Sequence, residues 1–223
     1  EAVVAFEKEA VENPGAAELL MNLGWSYWRL NRGDDAWRCF DLLAKLDPKN
    51  ASYLRLLAQA EISRAEFPHA LAHAREALRL LPGDKDSSIV MSSALIGLRR
   101  HHEADAILKG LVERYPDSAA VQFHMADNLA AMGRLNESLR HFDKLLRLSP
   151  GDGDYRRARA NVLYALGHEG AAIAEWTALA EAVPPDQKAI INLGWAAWKN
   201  KDLEAAYKHG ARLLQLDENN PMY

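Results

Sequence analysis

Six of the nine prolines, Pro14, Pro48, Pro82, Pro116, Pro150 and Pro184, stand 34 residues apart in unbroken succession. With proline at about 5% of positions in ordinary proteins, five successive coincidences have a probability on the order of 10⁻⁶. A fixed period of this length marks a chain of stacked supersecondary units, none of which can bury its apolar face alone. Proline ends a helix, so one proline per unit reads as the stop after that unit's last helix.

Side-chain size recurs with the same period. A small residue stands at Gly24, Ala58, Ser92, Ala126, Ala160 and Gly194, where two helices of a unit must cross. A second small residue recurs at Ala36, Ala70, Ala104, Ser138, Ala172 and Ala206, where the hairpin closes. The bulky residues Phe40, Phe142 and Trp176 fill the gap to the next unit. Arg32-Gly33-Asp34, Gly133 and Gly167 are turn residues separating the helices.

The copy from Ala17 to Asn50 carries Leu23, Gly24, Tyr27, Ala36, Phe40 and Pro48. It resembles the tetratricopeptide repeat, a helix-turn-helix unit with the pattern L-G-x2-Y, A-x3-F, P, although Leu20 stands in place of the expected first tryptophan. The resemblance covers the whole chain. It implies an all-α, right-handed α-solenoid, or superhelix, of about six and a half helix-turn-helix hairpins. The units are 17–50, 51–84, 85–118, 119–152, 153–186 and 187–220, forming one continuous domain. Residues 1–16 supply the second helix of a truncated repeat, with Ala2, Phe6 and Pro14 in family positions. Thirteen helices and no strand are expected.

Two departures stand out. Arg159 replaces a leucine that would face the hairpin core, so either the helix is rotated or the guanidinium meets a carboxylate, with a partly exposed arginine the favoured form. Glu218 stands where the next periodic proline would fall, and the sequence stops at Tyr223 without a polar closing helix. Both ends are thus expected to expose apolar surface and to invite further repeats, a partner, or self-association through uncapped ends.

In the resembling family, the first helices of successive units line a concave groove. The inward places fall on Asn22, Trp25 and Trp28 in the first unit and on Arg55 and Gln59 in the second. They fall on Phe123, His124 and Asp127 in the fourth and on Arg157, Asn161 and Tyr164 in the fifth. Lys188, Asn192, Trp195, Trp198 and Lys199 come from the sixth. Four of the six tryptophans lie in two nearly identical segments that begin Asn22-Leu23-Gly24-Trp25 and Asn192-Leu193-Gly194-Trp195. Tryptophans in a groove are typical binding anchors; Trp25 and Trp195 are read as groove residues, while for Trp28 and Trp198 groove exposure and packing as core against the adjacent first helix both stay open. Arg157, Asn161 and Asn192 match three places of a family clamp for C-terminal carboxylates, but residues 1–223 do not extend to the third unit it needs. An asparagine ladder along the first helices fails, because only Asn22 and Asn192 of its six places are asparagine.

The composition excludes other classes. The 31 acidic and 27 basic residues are interspersed and give a net charge of −4, so the clustered basic face that nucleic acid requires is missing. No stretch is apolar for long enough to insert directly into a membrane. A single cysteine, Cys39, allows no internal disulfide; it is read as lying on an outward helix position without a base partner. His69 and His73 share one helix face with no acidic residue between them, and His73, His141 and His209 recur too far apart to share an ion. No metal or cofactor is therefore expected. Neither a nucleophile elbow nor a phosphate-binding glycine loop occurs, so no enzyme activity is expected.

The expected function is a protein-interaction scaffold that holds a peptide or partner-protein segment in the groove. Similar arrays serve bacterial secretion and export assemblies; a soluble chain is expected, and the sequence leaves its compartment, cytoplasm or periplasm, open. The alternatives are the recruiting arm of a larger multidomain enzyme and a self-associating structural module.

Overall fold

Four of the periodic prolines, Pro48, Pro82, Pro150 and Pro184, are followed two residues on by a side chain that caps the next helix. In the computed structural model, which describes residues 16–216, Asn50 Oδ1 accepts from the backbone N–H groups of Ser52 and Tyr53 at 3.1 and 3.4 Å. Asp84, Asp152 and Asp186 accept in the same way from Ser87, Tyr155 and Ala189 at 2.8, 3.0 and 3.0 Å. Caps of this kind contribute about 1 kcal/mol each, so every one of these helices starts at a defined residue.

The chain divides into two compact units, Glu1–Pro116 and Asp117–Tyr223. The first contains α1 (Ala16–Arg29), α2 (Gly33–Leu46), α3 (Ala51–Ser63), α4 (Phe67–Leu80), α5 (Lys85–Gly97) and α6 (His101–Arg114). The second contains α7 (Ala119–Ala131), α8 (Leu135–Leu148), α9 (Gly153–Ala165), α10 (Glu169–Ala180), α11 (Gln187–Lys199) and α12 (Leu203–Leu216). Among the described residues there is no strand. Within each unit, consecutive helices pack as antiparallel hairpins, and each hairpin packs on the next. The expected helix within 1–16, with Ala2, Phe6 and Pro14, and the chain end at Glu218 and Tyr223 lie outside the described residues.

The small residues do what their spacing requires. Ala58, Ser92, Ala126 and Ala160 are fully buried, as are Ala36, Ala70, Ala104, Ser138 and Ala172. Ser138 Oγ also donates to the carbonyl of Ala126 at 2.7 Å, joining the two small positions of one hairpin. In the first unit Leu20, Phe40, Leu43, Leu54 and Leu57 form a common core. In the second, one cluster gathers around Phe142, Leu145 and Val162, and another around Trp176, Ile190 and Leu193.

Three local expectations are corrected or completed. Gly33 opens α2, and the left-handed turn residue is Asn31 at φ 57°. The same conformation recurs every 34 residues at Ala65, Arg99, Gly133, Gly167 and Lys201, one per hairpin. Cys39 points inward: it belongs to the first core, and burial, reinforced by Asp35, pushes its thiol up to about 11. A thiol so placed stays protonated and unreactive at neutral pH. Arg159 is half-buried and donates to Asp143 at 2.9 Å and to Glu175, so its charge is matched between neighbouring helices α8 and α10.

Candidate functional site

In the second unit the first helices of the hairpins, α7, α9 and α11, bring predicted inward residues around two adjoining cavities. The first, about 440 Å³, lies between α7 and α9 and is lined by Phe123, His124, Asp154, Tyr155, Arg157 and Asn161 with two alanines. The second, about 410 Å³, is lined by Asn161, Tyr164, Trp176, Asn192, Trp195, Trp198, Lys199 and one alanine. Asn161 belongs to both, so the two meet at this residue.

Three aromatic rings shape the first cavity. Phe123 sits 5.5 Å from His124 and 5.5 Å from Tyr155, centroid to centroid. Burial holds His124 at about 4, so it is a neutral ring at physiological pH. Arg157 is only 16% exposed, and both of its carboxylate partners, Asp154 and Asp186, are in contact. Its charge is spent inside the protein. That removes the first member of the carboxylate clamp that the sequence partly matched.

A hydrogen-bond chain organises the second cavity. Trp176 Nε1 donates to Asn161 Oδ1 at 3.1 Å, and Asn192 Nδ2 donates to the same oxygen at 2.8 Å. An indole N–H can only donate, so it fixes which end of the Asn161 amide faces it. Asn161 then accepts a second donor, which fixes Asn192 as well. The Asn161 NH2 group and the Asn192 side-chain carbonyl take no part in this chain. Around them, Trp195 and Trp198 are 64% and 60% exposed, with ring centroids 5.7 Å apart and planes at 90°. Tyr164 stacks obliquely on Trp176 at 5.3 Å, and Lys199 Nζ stands 4.8 Å over the Tyr164 ring.

Other expected groove residues stand elsewhere. Asp127 on α7 and Lys188 on α11 are exposed but line neither cavity. In the first unit Asn22 and Trp25 are exposed on α1, and Arg55 and Gln59 are half-buried on α3. Trp28 is half-buried and packs against the first core. Three contributors were not foreseen: Asp154, which lines the first cavity and pairs with Arg157, together with Tyr155 and Trp176. Tyr155 lies at a place outside the family's inward set, its only sequence signal being a large aromatic in the first turn of a first helix. Trp176 was legible as a packing residue, and its N–H orients the groove amides as well.

The histidine pair separates. His73 Nδ1 meets the buried carboxylate of Glu61 at 2.9 Å, whereas His69 lies 4.0 Å from Glu66. Among the described residues no three histidine, cysteine or acidic side chains converge as metal ligands, and no helix is long and apolar enough to cross a membrane.

The family profile for the tetratricopeptide repeat matches residues 21–85, 90–153, 123–186 and 157–221. The chain is a tetratricopeptide-repeat protein. No curated protein sequence matches this repeat protein closely enough to count as a relative. Solved structures share its fold. A thermophilic tetratricopeptide-repeat protein of Thermus thermophilus superposes with a TM-score of 0.73 at 20% identity, covering 79% of this chain and 96% of its own. A tetratricopeptide-repeat protein from Parabacteroides merdae gives 0.77 at 19% identity, with 99% and 89% covered. YrrB, described as having an unusual peptide-binding site, gives 0.54 at 20% identity, with 84% and 97% covered.

Proposed function

We propose that this repeat protein is a non-catalytic interaction scaffold that holds an extended peptide segment of a partner in the groove of its second unit. The observation that carries the reading is the Trp176–Asn161–Asn192 chain, which leaves one amide donor and one carbonyl acceptor side by side on neighbouring helices. A peptide bond offers the complementary pair, an acceptor and a donor, so the two asparagines can take one unit of extended backbone. Trp195 and Trp198 flank that point as large, exposed anchors of the kind that dominate binding energy. A resemblance to YrrB, described as a peptide-binding repeat protein, supports the reading in kind.

Selection of a displayed random peptide library on the protein tests it. Enriched peptides are expected to bind the native protein, to lose binding to a W195A/W198A double variant, and to leave the helical circular dichroism of that variant unchanged. Failure to enrich any peptide, or peptides indifferent to the double variant, overturns the reading.

A further inference from the structure

Once the internal hydrogen bonds are assigned, the groove is lopsided in its hydrogen-bonding character. Asn161 Oδ1 is fully used by two donors. What remains around the 410 Å³ cavity is mostly donors: the Asn161 amide, the indole N–H groups of Trp195 and Trp198, and the Lys199 ammonium. Among the side chains lining this cavity the remaining acceptors are the Asn192 carbonyl and the hydroxyl of Tyr164, which is buried and makes no hydrogen bond. A ligand matched to this wall must be rich in acceptors and poor in donors.

Charge narrows the ligand further. Lys199 already stands over the Tyr164 ring, so a cationic side chain entering this aromatic site would meet a like charge at short range. An anionic partner finds no free guanidinium, since Arg157 is held by Asp154 and Asp186, and beside the Lys199 ammonium the Glu169 carboxylate at 3.9 Å opposes a second anion as Lys199 opposes a second cation. The ligand that fits is neutral, rigid and flat-sided.

Resting on the peptide-groove reading above, we propose that the partner segment is proline-rich and binds as a polyproline II helix, its pyrrolidine rings packed against Trp195 and Trp198 and its carbonyls accepting from the groove donors. Proline is the residue that keeps the backbone carbonyl and lacks the N–H. A proline tract is already ordered before binding, so little conformational entropy is lost in the groove. The perpendicular rings of Trp195 and Trp198, three residues apart on one helix face, form an open angle between two aromatic surfaces. Such aromatic-lined grooves are the general means of holding this helix. The Asn161–Asn192 pair then reads a peptide unit at the edge of the tract, where a non-proline residue still offers an N–H.

The test uses the intact protein and three capped decapeptides, each acetylated and amidated: all proline, alternating serine and threonine, and all glutamate. Binding is followed by tryptophan emission and by calorimetry, with W195A and W198A as single variants. The proline peptide is expected to bind saturably, and each variant to weaken it by at least about tenfold, as for an anchor at the centre of an interface. The other two peptides are expected to bind at least about tenfold more weakly. An absence of proline-peptide binding, equal binding of the serine-threonine or glutamate peptide, or indifference to both variants overturns the proposal. If library-selected peptides without proline bind and depend on Trp195, the proline preference fails while the peptide groove stands. If no peptide depends on Trp195, both fail.

Discussion

The segments Asn22–Trp28 and Asn192–Trp198 share Asn, Leu, Gly, Trp and a second Trp at matching places, yet their rings meet different surroundings. Trp25 is 41% exposed and packs edge-on to Phe40 at 5.8 Å, and Trp28 lies against the first core. Trp195 and Trp198 are well over half exposed and have each other as their aromatic neighbour. The difference originates on the second helix of each hairpin. Phe40 follows Gly24 by 16 residues, and the residue that follows Gly194 by 16 is Gly210. Where α2 supplies a ring for the tryptophan helix to close on, α12 supplies a hydrogen atom. One copy of the motif is thereby drawn toward packing and the other is left exposed.

The largest expected effect is at Phe40. Truncation to alanine removes a fully buried ring from the first core and should lower the unfolding free energy by about 3–5 kcal/mol. Gly210→Ala meets nothing within 4 Å and should change it by less than about 1 kcal/mol, on the stabilising side. Urea titrations of the two variants decide this; equal shifts would mean that the rings and not their partners set the difference.

The crossing glycines give a smaller, sharper contrast. A Cβ on Gly24 would stand 2.6 Å from the Phe40 ring, which is enclosed on all sides and cannot swing away. Gly24→Ala should therefore destabilise by about 1–3 kcal/mol. At Gly194 the new methyl would stand 3.6 Å from His209 Cβ, an ordinary contact, and the better helix propensity of alanine should stabilise by up to about 1 kcal/mol. Thermal melts of the pair should move in opposite directions, and a loss of stability in Gly194→Ala would show that α11 and α12 are more tightly apposed than their separation indicates.

These contrasts also mark what could be read from the sequence. The hairpins were legible because their determinants are unusual residue types at a strict period: proline after the second helix, alanine or glycine at the crossing, and phenylalanine or tryptophan between units. The helical repeat likewise placed Asn161, Tyr164, Asn192, Trp195 and Trp198 around one cavity. What it could not give was the state of each side chain, which depends on residues far along the chain. Arg157 is neutralised by Asp186, 29 residues on, and Asn161 is oriented by Trp176, 15 residues on. Cys39 was misread as outward because one extra buried position on an amphipathic helix has no signature in residue type. The left-handed turn residues were hidden for the same reason, since Ala65, Arg99 and Lys201 do not advertise a positive φ.

The two units should also answer differently to acid. In the first, the hydrogen bond to Glu61 raises the pKa of His73 against the opposing effect of burial, with the charges of Glu61 and Asp41 adding to the rise. Protonation therefore favours the folded form; this contribution is complete below the unfolded value near 6.5 and is lost as pH rises through the folded value. In the second unit, burial lowers His141 and His209 and brings His124 to about 4. Their neutral forms favour folding, so stability there is held above about 6.5 and declines as pH falls from 6.5 toward 4. Amide hydrogen exchange at pH-corrected times should show the protection of α7 falling relative to α4 between pH 7.5 and 5. H124Q should flatten the fall in α7, and H73Q should remove the retained protection of α4; parallel loss in both helices would rule the histidines out as the cause.

The smallest expected effect lies in the hairpin turns, where the units again differ. The second uses Gly133 and Gly167 at two of its three left-handed positions, with Lys201 at the third, while the first uses Asn31, Ala65 and Arg99. An L-residue held in this conformation carries about 1–2 kcal/mol of strain, which asparagine eases by local hydrogen bonding but alanine cannot. Ala65→Gly removes that strain and adds some freedom to the unfolded chain, leaving a net stabilisation of about 0.5–1 kcal/mol. Gly133→Ala runs the same exchange in reverse and should destabilise by a comparable amount, with open space around the added methyl so that only the backbone is being tested. Urea midpoints that shift in opposite directions with unchanged slopes would place the effect in the turn. A stabilising Gly133→Ala would mean that helix propensity outweighs the turn conformation, and the left-handed residue would then have no part in setting where each hairpin reverses.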